Sequence, residues 1–328
     1  MIDTFKDDFF WMMRENKGYF PWVGSDSWKL AKHLRWHHHR KCLMCHDGIP
    51  PRELIRSITE EDVYENPLFD LVMKALMRAE VRLISRFIPQ HSHEERLTGN
   101  LVSEIDNALF LVRNLFRETS AKLYNEEKQI DFFYYDLSRG GKIEKTTGAD
   151  LGLIIVVDLP DFPFAVKALV LQAKKLYGGV GKIERNQYEV LMNHGEKECA
   201  YLFYDMDLSR RCSPLVAPVG QYNLKKLYEK SREANRDSFS FPFEEARSDG
   251  YPLSLFITSH FLFGDTFGSS HSSFDSAFSM FLDLCRSSRD RDRKGPSLSG
   301  FDGRLAILSL GKNIRFSNPF NEGLKIEI

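Results

Sequence analysis

The stretch "LGLIIVVDL" at 151–159 is an almost unbroken apolar run of nine residues, rich in branched side chains. Such a run is the mark of a central strand buried on both faces. "PDFPF" then turns the chain into "AVKALVLQAKK", which alternates as a strand does. Val166, Ala168, Val170, Gln172 and Lys174 share one face. Lys167, Leu169, Leu171 and Ala173 share the other. An apolar face therefore finishes on an amide and an ammonium where packing would be expected. In an antiparallel hairpin the start of one strand lies beside the end of the next. Asp150, which opens the apolar run, should then meet Gln172 and Lys174 at one edge of a sheet.

The surrounding elements set the fold class. Leu68, Val72, Ala75 and Leu76 recur at helical spacing within 61–90, and Pro89 closes that segment. A second helix is predicted from about Glu94 to Tyr124, with Leu97, Leu101, Ile105, Ala108, Val112 and Leu115 as its apolar stripe. "QIDFFYYDLS" (129–138) reads as a strand, "RGG" as a turn and "KIEKT" as a short strand. A helix is expected around 182–193, then a buried strand "CAYLFYD" (199–205). Helix, three or four strands, helix, strand is the order of an α/β fold with a mixed sheet.

Beyond residue 206 the pattern thins. "YNLKKLYEKSREANR" reads as a helix, "PLSLFITSHFLF" as a strand, "SSFDSAFSMFLDLC" as a helix with a cap at Ser272 or Ser273, and "GRLAILSL" as a strand. "RSSRDRDRKGPSLSG" (286–300) reads as a polar loop. No internal repeat or clean linker is visible. The tail is either a second domain or an elaboration of the first sheet.

A chain of 328 residues with 42% hydrophobic content can bury a large core. The net charge of −1 excludes a global basic field, so nucleic-acid binding would need a local patch. The acidic, aromatic opening "MIDTFKDDFFWMM" is unlike a secretory leader, and no apolar stretch approaches membrane-spanning length. With five cysteines scattered along the chain, a reducing cytoplasm is the expectation.

A carboxylate, an amide oxygen and an ammonium at one point suit a hard divalent cation beside a phosphodiester. Mg²⁺ takes one or two carboxylates and leaves positions for water and phosphate. Lys174 would orient the attacking water or offset charge on the phosphate. A Gln and a Lys at a strand end are otherwise an ordinary solvated terminus, and Asp after Gly an ordinary turn.

"GAD" at one strand start and "QAK" at the end of the next resemble the PD-(D/E)xK nuclease superfamily. The branch most similar is the one in which Gln replaces the acid, as in Mrr-like restriction enzymes and Cap4-type nucleases of bacterial antiphage systems. Here Ala149 stands where the superfamily commonly has Pro. The resemblance spans roughly residues 90–205. It implies a restriction-endonuclease-like core at 91–205, a mixed sheet flanked by helices. An N-terminal helical and aromatic region (1–90) and a C-terminal α/β extension (206–328) would be additions to it. "HEERLT" (93–98) is similar to the "ED-x-LT" opening of such nucleases and places the helix acid at Glu94. Helical phase agrees: Glu94 falls within the apolar stripe and Glu95 points away, with Glu104 near one border as the reserve.

The implied activity is Mg²⁺- or Mn²⁺-dependent DNA hydrolysis leaving 5′-phosphates, in a bacterial defence or restriction effector. Glu94, Asp150 and Gln172 would hold the metal, and Lys174 would assist water attack. DNA is the implied partner. A regulatory partner protein or homo-oligomer is expected, since an uncontrolled nuclease would threaten its own chromosome. The alternative is a catalytically inactive nuclease-fold subunit that binds nucleic acid or a partner protein.

Three other stretches were weighed. "RWHHHRKCLMCHDG" (35–48) gives Cys42 and Cys45 metal-ligand spacing, with His46 and His37–His39 in reach, so a structural Zn²⁺ is a candidate although no second CxxC follows. The same segment, with Lys32, Arg35, Trp36, Arg40 and Lys41, would also suit a nucleic-acid backbone. "KKLYGGVGKIERNQ" (174–187) lacks a Walker ending, which argues against nucleotide binding, but its Lys175 and Lys182 would lie beside the site. "SSHSSFDS" (269–276) reads as a polar loop with a helix cap rather than a triad.

Overall fold

A computed structural model describes residues 64, 66–90, 92–136, 150–209, 212–262, 267–285, 304–311, 315–316 and 326–327. The segments 1–63, 137–149 and 286–303 lie outside it. With them lie the Zn²⁺ candidates Cys42, Cys45 and His46, the basic cluster around Trp36, the "RGG" turn, "KIEKT" and the Arg-rich loop.

Two long helices come first, α1 (Pro67–Arg86) and α2 (Glu94–Tyr124). Asn66 caps α1 by accepting from Leu68 N at 2.9 Å, with Pro67 at the first helical position. Strand β1 (Ile130–Asp136) follows, then β2 (Leu151–Val157), β3 (Ala165–Leu176), β4 (Val180–Glu184), helix α3 (Arg185–His194) and β5 (Cys199–Asp205). The expected helix at 182–193 thus begins at Arg185. Val180–Glu184 pairs instead with β7 (Ser238–Pro242), and Gly181 and Ile183 turn inward.

The rest comprises β6 (Leu215–Pro218), α4 (Tyr222–Glu233), α5 (Phe243–Asp249), β8 (Tyr251–Pro252), α6 (Leu253–Leu255), β9 (Ser269–His271), α7 (Phe274–Cys285), β10 (Arg304–Leu310), β11 (Arg315–Phe316) and β12 (Ile326–Glu327). "PLSLFITSHFLF", expected as a strand, is a strand only at its start. It continues as α6 and a π-helical turn, Phe256–Phe261. Periodicity cannot separate a short apolar strand from a short buried helix. Here the decision is tertiary: the Glu80 carboxylate of α1 accepts from Ser254 N at 2.7 Å and supplies the helix start with its cap.

The main sheet is mixed and runs β1-β10-β2-β3-β5-β6-β8, with β9 also paired to β3. β2 and β3 form the expected antiparallel hairpin, β5 lies parallel to β3, and β10 parallel to β2. Strand alternation splits the core. Leu153, Ile155, Leu169, Leu171 and Leu202 face α1 and α2. Ile154, Val156, Val166, Val170 and Phe203 face α7, the β4–β7 pair and the shorter helices. Gly152 lets α7 approach closely, since a Cβ there would lie 2.7 Å from the Phe281 ring.

The core and the main sheet draw on residues from each of the stretches 1–90, 91–205 and 206–328. α1 packs in the same core as α2, and β6, β8, β9 and β10 are strands of the main sheet. β10 fills the slot between β1 and β2. Of the two readings of the tail, an elaboration of the first sheet is the one the strand order shows.

Candidate active site

β3 is longer than the strand it pairs with. Leu151 of β2 sits opposite Leu171, and Asp150 N donates to Leu171 O at 2.9 Å. Beyond that point β3 continues to Leu176 against β5 on its other side. The NH groups that would have met β2 need acceptors, because a buried unpaired NH costs about 1–3 kcal/mol. Two carboxylates supply them. Asp150 Oδ2 accepts from Ala173 N at 2.8 Å, and Glu94 Oε1 accepts from Lys175 N at 2.9 Å. Two residues of strand separate these donors by about 7 Å. Asp150 arrives from the start of β2 and Glu94 from the first turn of α2, so two distant segments place acids along one strand edge.

Gln172 stands opposite Asp150 and is fully buried. Its Nε2 donates to Asp150 Oδ2 and, at 3.1 Å, to Ala173 O. Exchanging the amide oxygen and nitrogen would set an oxygen against the carboxylate, so Asp150 fixes the orientation. Gln172 Oε1 is then left buried with no hydrogen-bond partner among the described residues. A buried acceptor that finds no donor is uncommon and asks for an explanation; Gln187 Oε1 and the hydroxyl of Tyr201, the register partner of Gln172, are buried the same way among the described residues.

Tyr204 of β5 lies in register with Lys175 and is buried. Its hydroxyl shares a 3.1 Å hydrogen bond with Thr98 Oγ1, which donates to Glu94 O at 3.0 Å. Burial raises the phenol pKa, and the negative charges of Asp150 and Glu94 raise it further. Both carboxylates therefore act on one phenol. Sequence reasoning missed Tyr204, whose only signal was a polar tip at the end of an otherwise apolar strand.

The lysines diverge. Lys174 is partly buried on the face of Gln172, and its ammonium has no ion pair among the described residues. Lys175 projects to the opposite face, where its Nζ donates to Ser92 O at 3.2 Å and lies 4.9 Å from the centre of the Tyr177 ring. The reserve acid Glu104 is buried in an ion pair with Arg82 that joins α2 to α1, a packing role. Glu95 is exposed and meets Arg304 at 3.1 Å.

The remaining candidates settle as structure. Gly178 and Gly179, both at positive φ (55° and 79°), form the tight turn between β3 and β4 rather than a phosphate loop. His271 bridges two serines, with Nε2 2.7 Å from Ser269 Oγ and Nδ1 3.1 Å from Ser276 Oγ, while Asp275 is exposed. Ser273 Oγ accepts from Ser276 N as the cap of α7. Cys199 and Cys212 are buried and in no disulfide, and burial pushes the Cys199 thiol up to about 12.

Among the described residues no three His, Cys, Asp or Glu side chains gather as a metal centre. The oxygen groups along the strand edge are two carboxylates, held by successive same-side NH groups of β3, and one amide oxygen. Oxygen donors of this kind suit Mg²⁺ or Mn²⁺ and do not suit Zn²⁺ in a structural site. No described helix is long and apolar enough to cross a membrane. No family model matches the chain, and no curated protein and no solved structure matches it.

Proposed function

We propose that this protein is a metal-dependent nuclease of the PD-(D/E)xK type, with a restriction-endonuclease-like core, that hydrolyses DNA phosphodiester bonds. One observation carries the reading: the buried Oε1 of Gln172, without a partner among the described residues, beside Asp150, with Glu94 held two residues further along the strand. Asp150, Glu94 and Gln172 would hold Mg²⁺ or Mn²⁺. Bound there, the cation supplies Lewis-acid polarisation of the phosphate and offsets the charge that builds on it. The backbone NH groups of Ala173 and Lys175 hold the two carboxylates in place through charge-assisted hydrogen bonds. Gln172 keeps one oxygen of Asp150 oriented through its Nε2. The Lys174 ammonium orients the attacking water or neutralises the phosphate. Products would carry 5′-phosphates. By the same resemblance, the protein would be an effector of a bacterial antiphage or restriction system, working in the cytoplasm and restrained by a partner protein or by self-association.

A second reading has its own support. Only two acids reach the site, and Gln172 adds no charge, which suits a nuclease fold kept as a binding subunit without catalysis. Incubation of the purified protein with duplex plasmid and with single-stranded circular DNA, in Mg²⁺ or Mn²⁺, with and without EDTA, separates the two. The nuclease reading expects metal-dependent cleavage that Asp150→Ala and Lys174→Ala each reduce by at least 100-fold. Cleavage that survives both substitutions removes the site assignment, and absence of cleavage under every condition favours the binding subunit.

A further inference from the structure

β3 does not end at the candidate site. After Lys175 it runs through Leu176 to Tyr177, turns at Gly178–Gly179 and returns as β4 from Val180. Two large apolar side chains stand in solvent at this tip: Tyr177 is 53% and Val180 43% exposed. Yet the tip is held firmly. Tyr177 and Val180 exchange both backbone hydrogen bonds at 3.0 Å, and Gly179 O accepts from Phe243 N at 2.7 Å. β4 is zipped along its length to β7. A rigid exposed aromatic loses little conformational freedom when a flat partner stacks on it, which makes it a preorganised contact.

Its surroundings name the partner. Tyr177 projects to the same face of β3 as Lys175, whose Nζ lies over the Tyr177 ring while its backbone NH holds Glu94. One residue thus joins the ring to the carboxylate edge. Tyr177 lies about 7 Å further along the strand than Lys175, about two phosphate steps of a stacked nucleic-acid strand. Lys182 adds an exposed cation on the returning strand. Aromatic rings beside cations are the surface on which unpaired bases stack, at about 1–3 kcal/mol per base.

We propose that Tyr177, at the tip of the β3–β4 hairpin, is a positioning residue that stacks on an unpaired nucleobase of the substrate, with Lys175 and Lys182 holding the adjoining backbone. The inference rests on the nuclease reading and narrows its substrate to strands with an unpaired base near the cleaved bond: single strands, overhangs or frayed ends. A fully paired duplex offers no free face to the ring.

The test uses the full chain in EDTA, so that binding is read without cleavage. Fluorescein-labelled oligo-dT, oligo-rU and a blunt duplex are titrated by anisotropy, and a single-stranded probe carrying 2-aminopurine reports stacking by quenching. Tyr177→Ala should weaken single-strand binding about tenfold and abolish the quenching, while Tyr177→Phe restores both and duplex binding changes less than twofold. The oligo-dT and oligo-rU arms show which sugar the platform accepts. Single-strand binding by Tyr177→Ala within twofold of wild type overturns the platform, and cleavage that is still lost in Asp150→Ala then leaves the nuclease reading standing. Tyr177-dependent stacking without cleavage under any metal keeps the platform and removes the enzyme. Failure of the wild type to bind either single-stranded probe removes the platform, and the cleavage assay decides the nuclease reading separately.

Discussion

The two faces of the sheet each hold a buried polar cluster, Glu80 among the residues packed on α1 and α2 and Gln172 on the opposite face, and the two answer burial in opposite ways. Around Glu80 of α1 the cluster is closed: Oε1 accepts from Ser254 N, and Oε2 from the hydroxyls of Ser254 at 2.9 Å and Ser213 at 3.4 Å. Burial pushes this carboxyl up to about 8 despite those bonds. Around Asp150 the cluster is open: Gln172 Oε1 is buried without a donor among the described residues. A closed cluster is explained by packing alone, since it caps α6 and ties it to α1. An open one leaves a cost that none of the described residues removes. That difference, more than the presence of acids, separates a candidate site from a structural feature.

Three experiments press on the contrast. The largest effect belongs to Glu80. The unfolded chain ionises this group near its ordinary 4.5 and the folded chain near 8. Its contribution to stability is therefore full below about 4.5, declines as pH rises between the two values, and is lost above about 8. The change should be on the order of a few kcal/mol. Glu80→Gln keeps an oxygen for Ser254 N, makes the Ser254 and Ser213 hydroxyls acceptors of its amide NH₂, and removes the ionisation. Denaturant unfolding from pH 5 to 9 should show a decline in the wild type and a flatter profile in the variant. Equal slopes would mean that the closed cluster does not sense its own charge.

Next is Gln172→Glu, which puts a second charge beside Asp150. Without metal the two acids repel, and stability should fall by on the order of 1–3 kcal/mol. Mn²⁺ should restore it by binding only the folded state, seen as a rise in melting temperature larger than in the wild type. A variant as stable as wild type and indifferent to Mn²⁺ would show that this cluster, too, is closed. The smallest effect is expected at Glu95, which is 59% exposed and paired with Arg304. Glu95→Gln should change unfolding free energy by no more than about 0.5 kcal/mol and leave cleavage within twofold. A large loss of cleavage would place the helix acid at Glu95 and undo the phase argument for Glu94.

The hairpin was legible because its two halves carry their register in the sequence. Leu151 through Val157 are apolar throughout, the turn is short, and the alternation of Val166 to Lys174 fixes which face each residue takes. Asp150 meeting Gln172 follows from counting. Glu94 was legible for a similar reason, since the stripe of α2 fixes its phase. Lys175 was not, because what it offers Glu94 is a backbone NH, and that carries no residue signature. Tyr204 depends on which strand lies beside β3, and a parallel neighbour reached through α3 leaves no local trace. "PLSLFITSHFLF" misled because its helical start is capped by Glu80, 174 residues away in sequence. What the sequence hides here is what distant backbone groups supply.

The position of β10 has a consequence for synthesis. Residues 304–310 lie between β1 and β2, so those two strands have no ladder with each other to form early. Contacts so far apart along the chain form late and slowly. While the polypeptide emerges from the ribosome, the β2–β3 hairpin that carries Asp150 and Gln172 must wait with one edge uncovered until the chain has passed residue 310. The architecture thus ties completion of the sheet around the proposed nuclease centre to the synthesis of residues 304–310, a delay written into the strand order.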